Sequence, residues 1–331
     1  MDTIKVVQIG MGPLGVKLAN FIAERENIET VAAVDINPEL IGMDVQQTYG
    51  GEPSGVTIQA DLASALKDIE ADVAILTTFS DMARVTAHIE EVVTLGLPIV
   101  STCEELSFPW DTAPDLAQRI DEAAKKNNVA VVGTGVNPGF LMDALPTFLT
   151  TACQRVDSIE INRFQDAQYR RIPFQKKIGA GLSMTEFEDR KEAGTLRHVG
   201  LTESMQFIAR RMGWSLDHTE DMINPVIAQE DIITPTLKIA KGLATGVSQI
   251  GRAYAGDQLK ITLVFQATIG EPESYDEIII KGEPNITSRI EGGINGDIAT
   301  SAVVINTVGS ILHATPGLKT MADLPMTSFL G

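Results

Sequence analysis

One short glycine pattern constrains this chain more than any other feature. Gly10-Met11-Gly12-Pro13-Leu14-Gly15 reads G-x-G-x-x-G. It follows the apolar run 6–9 and opens a stretch, 14–25, in which Val16, Leu18, Ala19 and Ile22 recur at helical spacing. A second apolar run, 30–34, stops at Asp35, twenty residues past Gly15. Strand, glycine turn, helix and strand make a βαβ unit, and an acid at the end of its second strand makes the pattern specific for a dinucleotide. Gly10 permits the tight turn, Gly12 lets the backbone approach a pyrophosphate, and Gly15 lets helix and strand pack closely. Pro13 and Leu14 open the helix, whose unpaired N–H groups and positive dipole end face the phosphates. Asp35 is expected to accept hydrogen bonds from the adenosine ribose and to repel a 2′-phosphate, and the next residue is Ile36 rather than arginine. The expected cofactor is NAD, with NADP still admissible through Asn37 or a mobile loop.

The alternation continues. Helical stretches at 62–69, 82–95 and 113–127 interleave with apolar runs at 72–76, 98–101 and 129–132. That order predicts an α/β fold, a Rossmann doubly wound parallel sheet with right-handed crossovers. Beyond residue 148 the texture changes. Segments 158–164, 260–269 and 277–281 alternate apolar and polar residues, with Ile261, Leu263 and Phe265 on one face and Ile278 and Ile280 on another. They predict an α+β second domain with an antiparallel sheet, open on one face to helices or to a partner subunit. Residues 202–212 and 300–313 read as helices. The expected division is 1–147 for the cofactor domain, 148–299 for a substrate and dimerisation domain, and 300–331 for a helix returning to the first domain.

Composition narrows the partners. With 26 Lys and Arg against 44 Asp and Glu, the formal charge is −18. Such a surface repels nucleic acid and anionic lipid. No apolar run approaches membrane-spanning length and no signal peptide is apparent, so a cytoplasmic location is expected. Cys103 and Cys153 have no metal-ligand spacing and read as reduced thiols; no metal site and no serine-nucleophile elbow is found.

Three segments fall at strand ends on the cofactor side. Thr77, Thr78 and Ser80 can touch the cofactor backbone, although Ser80 or Asp81 can equally cap a helix. Ser101-Thr102-Cys103-Glu104-Glu105 belongs near the nicotinamide ribose. Glu104 and Glu105 there offer an anion to an ammonium or iminium group, or else form a solvated helix start. Asn137-Pro138-Gly139 is a rigid turn whose backbone can approach a flat ring, and Phe140 either walls the substrate pocket or joins the core. Arg163, in an alternating strand, fits a pocket or the surface; Arg170 and Arg171 read as solvated charges. His198 lies in a glycine-flanked segment and either serves the site or is structural.

Val7-Gln8-Ile9-Gly10-Met11-Gly12, Thr102-Cys103-Glu104-Glu105, 133–140 (Gly-Thr-Gly-Val-Asn-Pro-Gly-Phe) and 197–204 (Arg-His-Val-Gly-Leu-Thr-Glu-Ser) carry a resemblance. The chain resembles the 2,4-diaminopentanoate dehydrogenase and native amine dehydrogenase family, among the dihydrodipicolinate reductase-like oxidoreductases. The resemblance implies reductive amination of a ketone or aldehyde with ammonia and the reverse oxidative deamination; a homodimer is expected separately, from the one apolar face per strand of the second domain's sheet. It implies that a glutamate of the Cys-Glu-Glu segment contacts the amine, assigned to Glu104 with Glu105 as alternative. The partners implied are a small carbonyl or amine substrate and ammonia. The chain lacks the His-His and Lys-containing loop of dihydrodipicolinate reductase itself, which argues against a dicarboxylate imine.

Overall fold

The computed structural model describes residues 3–170, 172–196 and 199–331. Arg171, Arg197 and His198 lie outside the described residues, so the expectations for Arg171 and His198 stand as sequence readings. The chain divides into two units: the first runs to Ala144 and resumes at Asn295, and the second is Leu145–Ile294. Sequence texture places these divisions slightly later, after 147 and 299.

In the first unit, β1 (Ile4–Ile9), α1 (Pro13–Ala23) and β2 (Ile28–Val34) form the βαβ unit. β3 (Ile58–Gln59), α2 (Leu62–Ala65), β4 (Val73–Leu76), α3 (Met82–Thr94), β5 (Ile99–Ser101), α4 (Pro114–Lys126) and β6 (Ala130–Gly133) follow. α5 (Ala144–Leu149) leads into the second unit. There come β7 (Arg155–Asp166), α6 (Ile172–Lys177), α7 (Met184–Glu192), α8 (Leu201–Met212), β8 (His218–Ile227), β9 (Ile232–Ile233), β10 (Lys238–Ile239), β11 (Ala244–Ala255), β12 (Gln258–Thr268), β13 (Tyr275–Glu283) and β14 (Ile286–Glu291). α9 (Gly296–Ile311) and β15 (Gly317–Lys319) belong to the first unit again.

The first sheet is parallel, in the order β15-β6-β5-β4-β1-β2-β3. Its strands are buried on both faces, which is why they read as apolar runs. One face packs Val7, Leu76 and Ile99 against Val85, Ile89 and Val92 of α3 and Ile120 of α4. The other packs Val6, Ile75 and Val132 against Leu18 and Ile22 of α1 and Val304, Val308 and Ile311 of α9. Each fully buried aliphatic side chain contributes about 1.5–3 kcal/mol of transfer free energy, so α9 is a stabilising layer of this unit. The strand order reverses between β1 and β4, and the crevice for a ligand opens there, at the carboxyl ends of the strands. The helix expected over 62–69 stops at Ala65. Asp61 caps its start, but Ile69 is exposed, so another turn would bury too little to persist.

The second unit holds a six-stranded sheet, order β14-β13-β7-β12-β11-β8. It is mixed, which corrects the antiparallel expectation: β7 and β12 run parallel. A half-exposed strand alternates in the same way whichever direction its neighbour runs, so the pattern could not separate the two. The helices α6–α8 lie between β7 and the later strands and supply the long crossover that parallel pairing needs. Ile261, Leu263, Phe265, Ile278 and Ile280 are all buried within the single chain. Gly251 pairs with Leu263, and a Cβ at Gly251 would come within 3.2 Å of Met205 Sδ on α8. The expected open apolar face is therefore covered by the chain's own helix.

Candidate active site

The glycine turn is built by close approach. Gly10 has φ 93°, and a Cβ there would meet the Thr77 carbonyl oxygen at 2.9 Å. A Cβ at Gly15 would lie 1.9 Å from the Gly10 carbonyl oxygen. Two side chains brace the turn. The buried Gln8 donates to the Gly10 carbonyl at 3.0 Å and to Thr77 Oγ1 at 2.9 Å, and the Thr77 hydroxyl donates to the Gly10 carbonyl at 2.8 Å. Thr77 thus acts first as a brace. Gln8 escaped the site reading because a lone glutamine within an apolar run resembles an ordinary strand residue.

Gly12 is different: a Cβ there would meet nothing within 4 Å. It is the N-cap of α1 and makes no side-chain cap, with Pro13 at the first turn. The N–H groups of Leu14 and Gly15 have no intrahelical acceptor and sit at the positive end of the helix dipole. Leu14's side chain packs on the core, so its backbone is what it offers. An open, uncapped helix start beside a glycine that leaves space fits a pyrophosphate.

A cleft of about 350 Å³ adjoins the turn, lined among others by Gly10, Gly12, Asp35, Ile36, Thr77 and Thr78. The Asp35 carboxylate is held by two backbone donors, Met11 N at 2.5 Å and Asn37 N at 2.8 Å. Its remaining lone pairs suit ribose hydroxyls. Ile36 is 83% exposed at the same wall and offers an apolar surface to a base. Ser80 is exposed and caps nothing; Asp81 caps α3 by accepting from Arg84 N at 2.9 Å.

The two glutamates at the end of β5 occupy different environments. Glu105 Oε2 accepts from Met82 N, the first N–H of α3, at 2.8 Å. The half-buried Glu104 carboxylate has no hydrogen bond or ion pair among the described residues. Both ride on a turn that presses against β6, where a Cβ at Gly133 would come within 2.6 Å of Leu106. Cys103, just before them, is buried in the core, and burial pushes its thiol well above the usual range. Only its backbone remains for a ligand. The neighbouring turn carries Asn137, joined to Pro138 by a cis peptide, and Gly139 at φ 122°. Asp143 fixes this turn, accepting from Gly139 N at 2.7 Å and Ala144 N at 2.6 Å. Two buried oxygens here, Thr134 Oγ1 and Asn137 Oδ1, have no hydrogen-bond partner among the described residues. Unpaired buried oxygens are costly unless a ligand pairs with them, and a carboxamide bearing an N–H₂ group has the matching chemistry. The residues present thus fit a nicotinamide dinucleotide from its adenosine to its amide. Phe140 is half-buried beside this turn.

Arg163 is in neither of its expected places. It is 2% exposed and pairs with Asp276 at 3.5 Å, and its Nη2 donates to the Ile294 carbonyl at 2.9 Å. Burial pushes its pKa down to about 10 against the opposing pull of Asp276. Sequence alone gave no sign of the acid directly across the sheet. Arg170 donates to Gln165 Oε1 at 3.1 Å and lies over the Phe174 ring. Among the described residues, no helix is long and apolar enough to cross a membrane, and no group of three His, Cys or carboxylate residues is placed to hold a metal.

A switch-point crevice, an uncapped glycine turn and an acid closing β2 define an NAD(P)-dependent oxidoreductase. The chain belongs to the 2,4-diaminopentanoate dehydrogenase family, oxidoreductases of the CH–NH₂ class: residues 140–330 match that family's C-terminal domain. A 2,4-diaminopentanoate dehydrogenase of Acetoanaerobium sticklandii is 32% identical over 98% of this chain and 94% of its own. A 4-hydroxy-tetrahydrodipicolinate reductase of Synechocystis is 28% identical over 56% of this chain and 66% of its own. Residues 1–102 match a CoA binding domain family. An amine dehydrogenase from Mycobacterium smegmatis has the same fold at 20% identity, with a TM-score of 0.84 over 99% of this chain and 97% of that one. The WlbA dehydrogenase from Bordetella pertussis, solved with NADH and UDP-GlcNAcA, matches at 14% identity and a TM-score of 0.53, over 93% and 88%.

Proposed function

We propose that this protein interconverts a primary amine and the matching ketone or aldehyde, releasing or taking up ammonia, with NAD as preferred cofactor. The observation that carries the reading is the Glu104 carboxylate, which has no hydrogen bond or ion pair among the described residues, set beside a turn with unpaired oxygens suited to an amide while Glu105 caps α3. A nicotinamide cofactor held at Gly10, Gly12 and Asp35 would supply the hydride acceptor for the amine carbon, or the donor in the reverse direction. Glu104 holds the ammonium, relays its proton to water so that the neutral amine reacts, and, again a carboxylate, stabilises the iminium cation. Water adds to that cation and ammonia leaves, giving the carbonyl; amination runs the same steps backwards. Phe140 helps exclude bulk water, which otherwise hydrolyses the imine too early.

Glu104→Gln keeps the size of the side chain and removes its charge. Turnover should fall on the order of 100-fold or more, since an anion facing a developing cation is lost from a water-poor site. NADH binding, followed by fluorescence, should hardly change, and added ammonium should not restore the rate. Near-parental amination by this variant would refute the assignment.

A second reading narrows the substrate to 2,4-diaminopentanoate, favoured by the 32% identity across nearly the whole chain. Against it, the Arg163 charge is already paired and cannot clamp a carboxylate. Comparing NAD reduction with 2,4-diaminopentanoate and with simple alkyl amines separates the two. We also infer a homodimer formed on the uncovered face of the second sheet. Register places Phe164, Met222, Ile250, Val264 and Ile279 on that face, opposite the one packed by α8, and all are half-buried.

A further inference from the structure

We propose that Asp61 is a second determinant of cofactor choice, acting with Asp35 to exclude the 2′-phosphate of NADP. The proposal rests on the NAD preference read from Asp35 and adds a residue to it. β2 and β3 are parallel neighbours, with Val34 opposite Gln59, and Asp35 N donates to the Gln59 carbonyl at 3.1 Å. The chain therefore leaves two adjacent strands with Asp35 on one and Ala60-Asp61 on the other. Both acids line the same cleft, as does Ile36.

Asp61 is fixed in place. It caps α2, its Oδ1 accepting from Ser64 N at 2.8 Å and its Oδ2 from Ser64 Oγ at 3.0 Å. Those same donors hold its carboxyl below the usual carboxylate range, so it is an anion at neutral pH. The capping bonds also occupy the donors that a phosphate at this position would use. The described lining includes no lysine or arginine. The other titratable groups are Glu91 and His88, both on α3, with His88 Nδ1 3.4 Å from Thr78 Oγ1. A dianionic phosphate on the ribose held by Asp35 would meet a second fixed negative charge at the next strand end. A ribose hydroxyl carries no such penalty.

The test measures dissociation constants for NADH and NADPH by fluorescence titration, at low ionic strength, for the parent, Asp35→Ser, Asp61→Asn, the double variant and Glu91→Gln. Asparagine is as good an N-cap as aspartate, so Asp61→Asn removes charge and keeps the helix start. Affinity for NADPH relative to NADH should rise roughly tenfold in Asp61→Asn, from Coulomb repulsion at a few ångströms in a solvated cleft. The rise should add to that of Asp35→Ser and shrink at about 0.5 M salt, where charges are screened within a few ångströms. The proposal is overturned if Asp61→Asn leaves the ratio unchanged, if its gain is insensitive to salt, or if Glu91→Gln gives the gain instead. A parent protein that already binds NADPH as well as NADH refutes the reading of Asp35, and the step from parent to Asp61→Asn still tests Asp61 separately.

Discussion

At the scale of single residues, the pair Glu104 and Glu105 shows how two identical side chains acquire different surroundings. One carboxylate fills the orphan donor at the start of α3, and its neighbour has no donor among the described residues. Truncating a helix cap typically costs about 1 kcal/mol. Glu105→Ala should therefore lower the melting temperature measurably and change turnover only modestly, whereas Glu104→Gln should show the opposite pattern. Calorimetry alongside steady-state amination checks both, and an exchange of the two patterns would exchange the assignments. Asp44 gives a pH-dependent case. Burial favours its neutral form, but the backbone N–H groups of Ser54, Gly55 and Gln46 and the Ser54 hydroxyl outweigh this and hold its carboxyl below the ordinary value. A carboxyl lowered in the folded state adds stability that is complete above its unfolded pKa and is lost as pH falls through the folded one. The difference in melting temperature between the parent and Asp44→Asn should accordingly be largest near neutrality and shrink as pH falls below about 4. A difference that grew toward acid would contradict this account.

At the scale of elements, the turn carrying Glu104 is aimed by what lies beneath it. Gly133, the last residue of β6, pairs with Ser101 and leaves room for Leu106. A Cβ there would meet Leu106 backbone and Cβ at 2.6–2.8 Å, so the turn has to move. Overpacking of this kind costs about 1–3 kcal/mol. Gly133→Ala should lower stability by that order and reduce turnover more than NADH affinity, because the pyrophosphate turn sits on a different strand. Unchanged kcat would mean that the turn tolerates displacement. The elements most legible in the sequence were those with both a pattern and a stop signal, such as α3, whose helical run begins at its Asp81 cap. β8 was missed: it is an edge strand rich in polar residues and contains Pro225, which an edge tolerates because its N–H need not join a ladder. β15 was missed because three residues hold no period, and only the open edge of β6 makes them a strand.

At the scale of the whole molecule, the remaining question is what covers the second face of the mixed sheet. The half-buried apolar residues along its centre are expected to meet a second copy across a two-fold axis. Light scattering at micromolar concentration should give the dimer mass, and Val264→Glu should move it toward the monomer. A monomeric parent would remove the inference.

The sequence by itself determined the cofactor unit. A glycine turn, helical spacing and an acid at the second strand's end are local signals, each enforced by backbone sterics or by a period of a few residues. It also singled out a pair of glutamates at one strand end as the proposed partners of the amine. Only tertiary structure decided which glutamate caps α3, because that depends on Met82 N, remote in sequence, coming within 2.8 Å of Glu105. The same holds for Arg163, whose role was settled by Asp276 across the sheet, and for the parallel pairing of β7 with β12. A side chain's own sequence neighbours fix which face it presents. The group that meets it there comes from elsewhere in the chain, and burial makes that meeting decisive for charge.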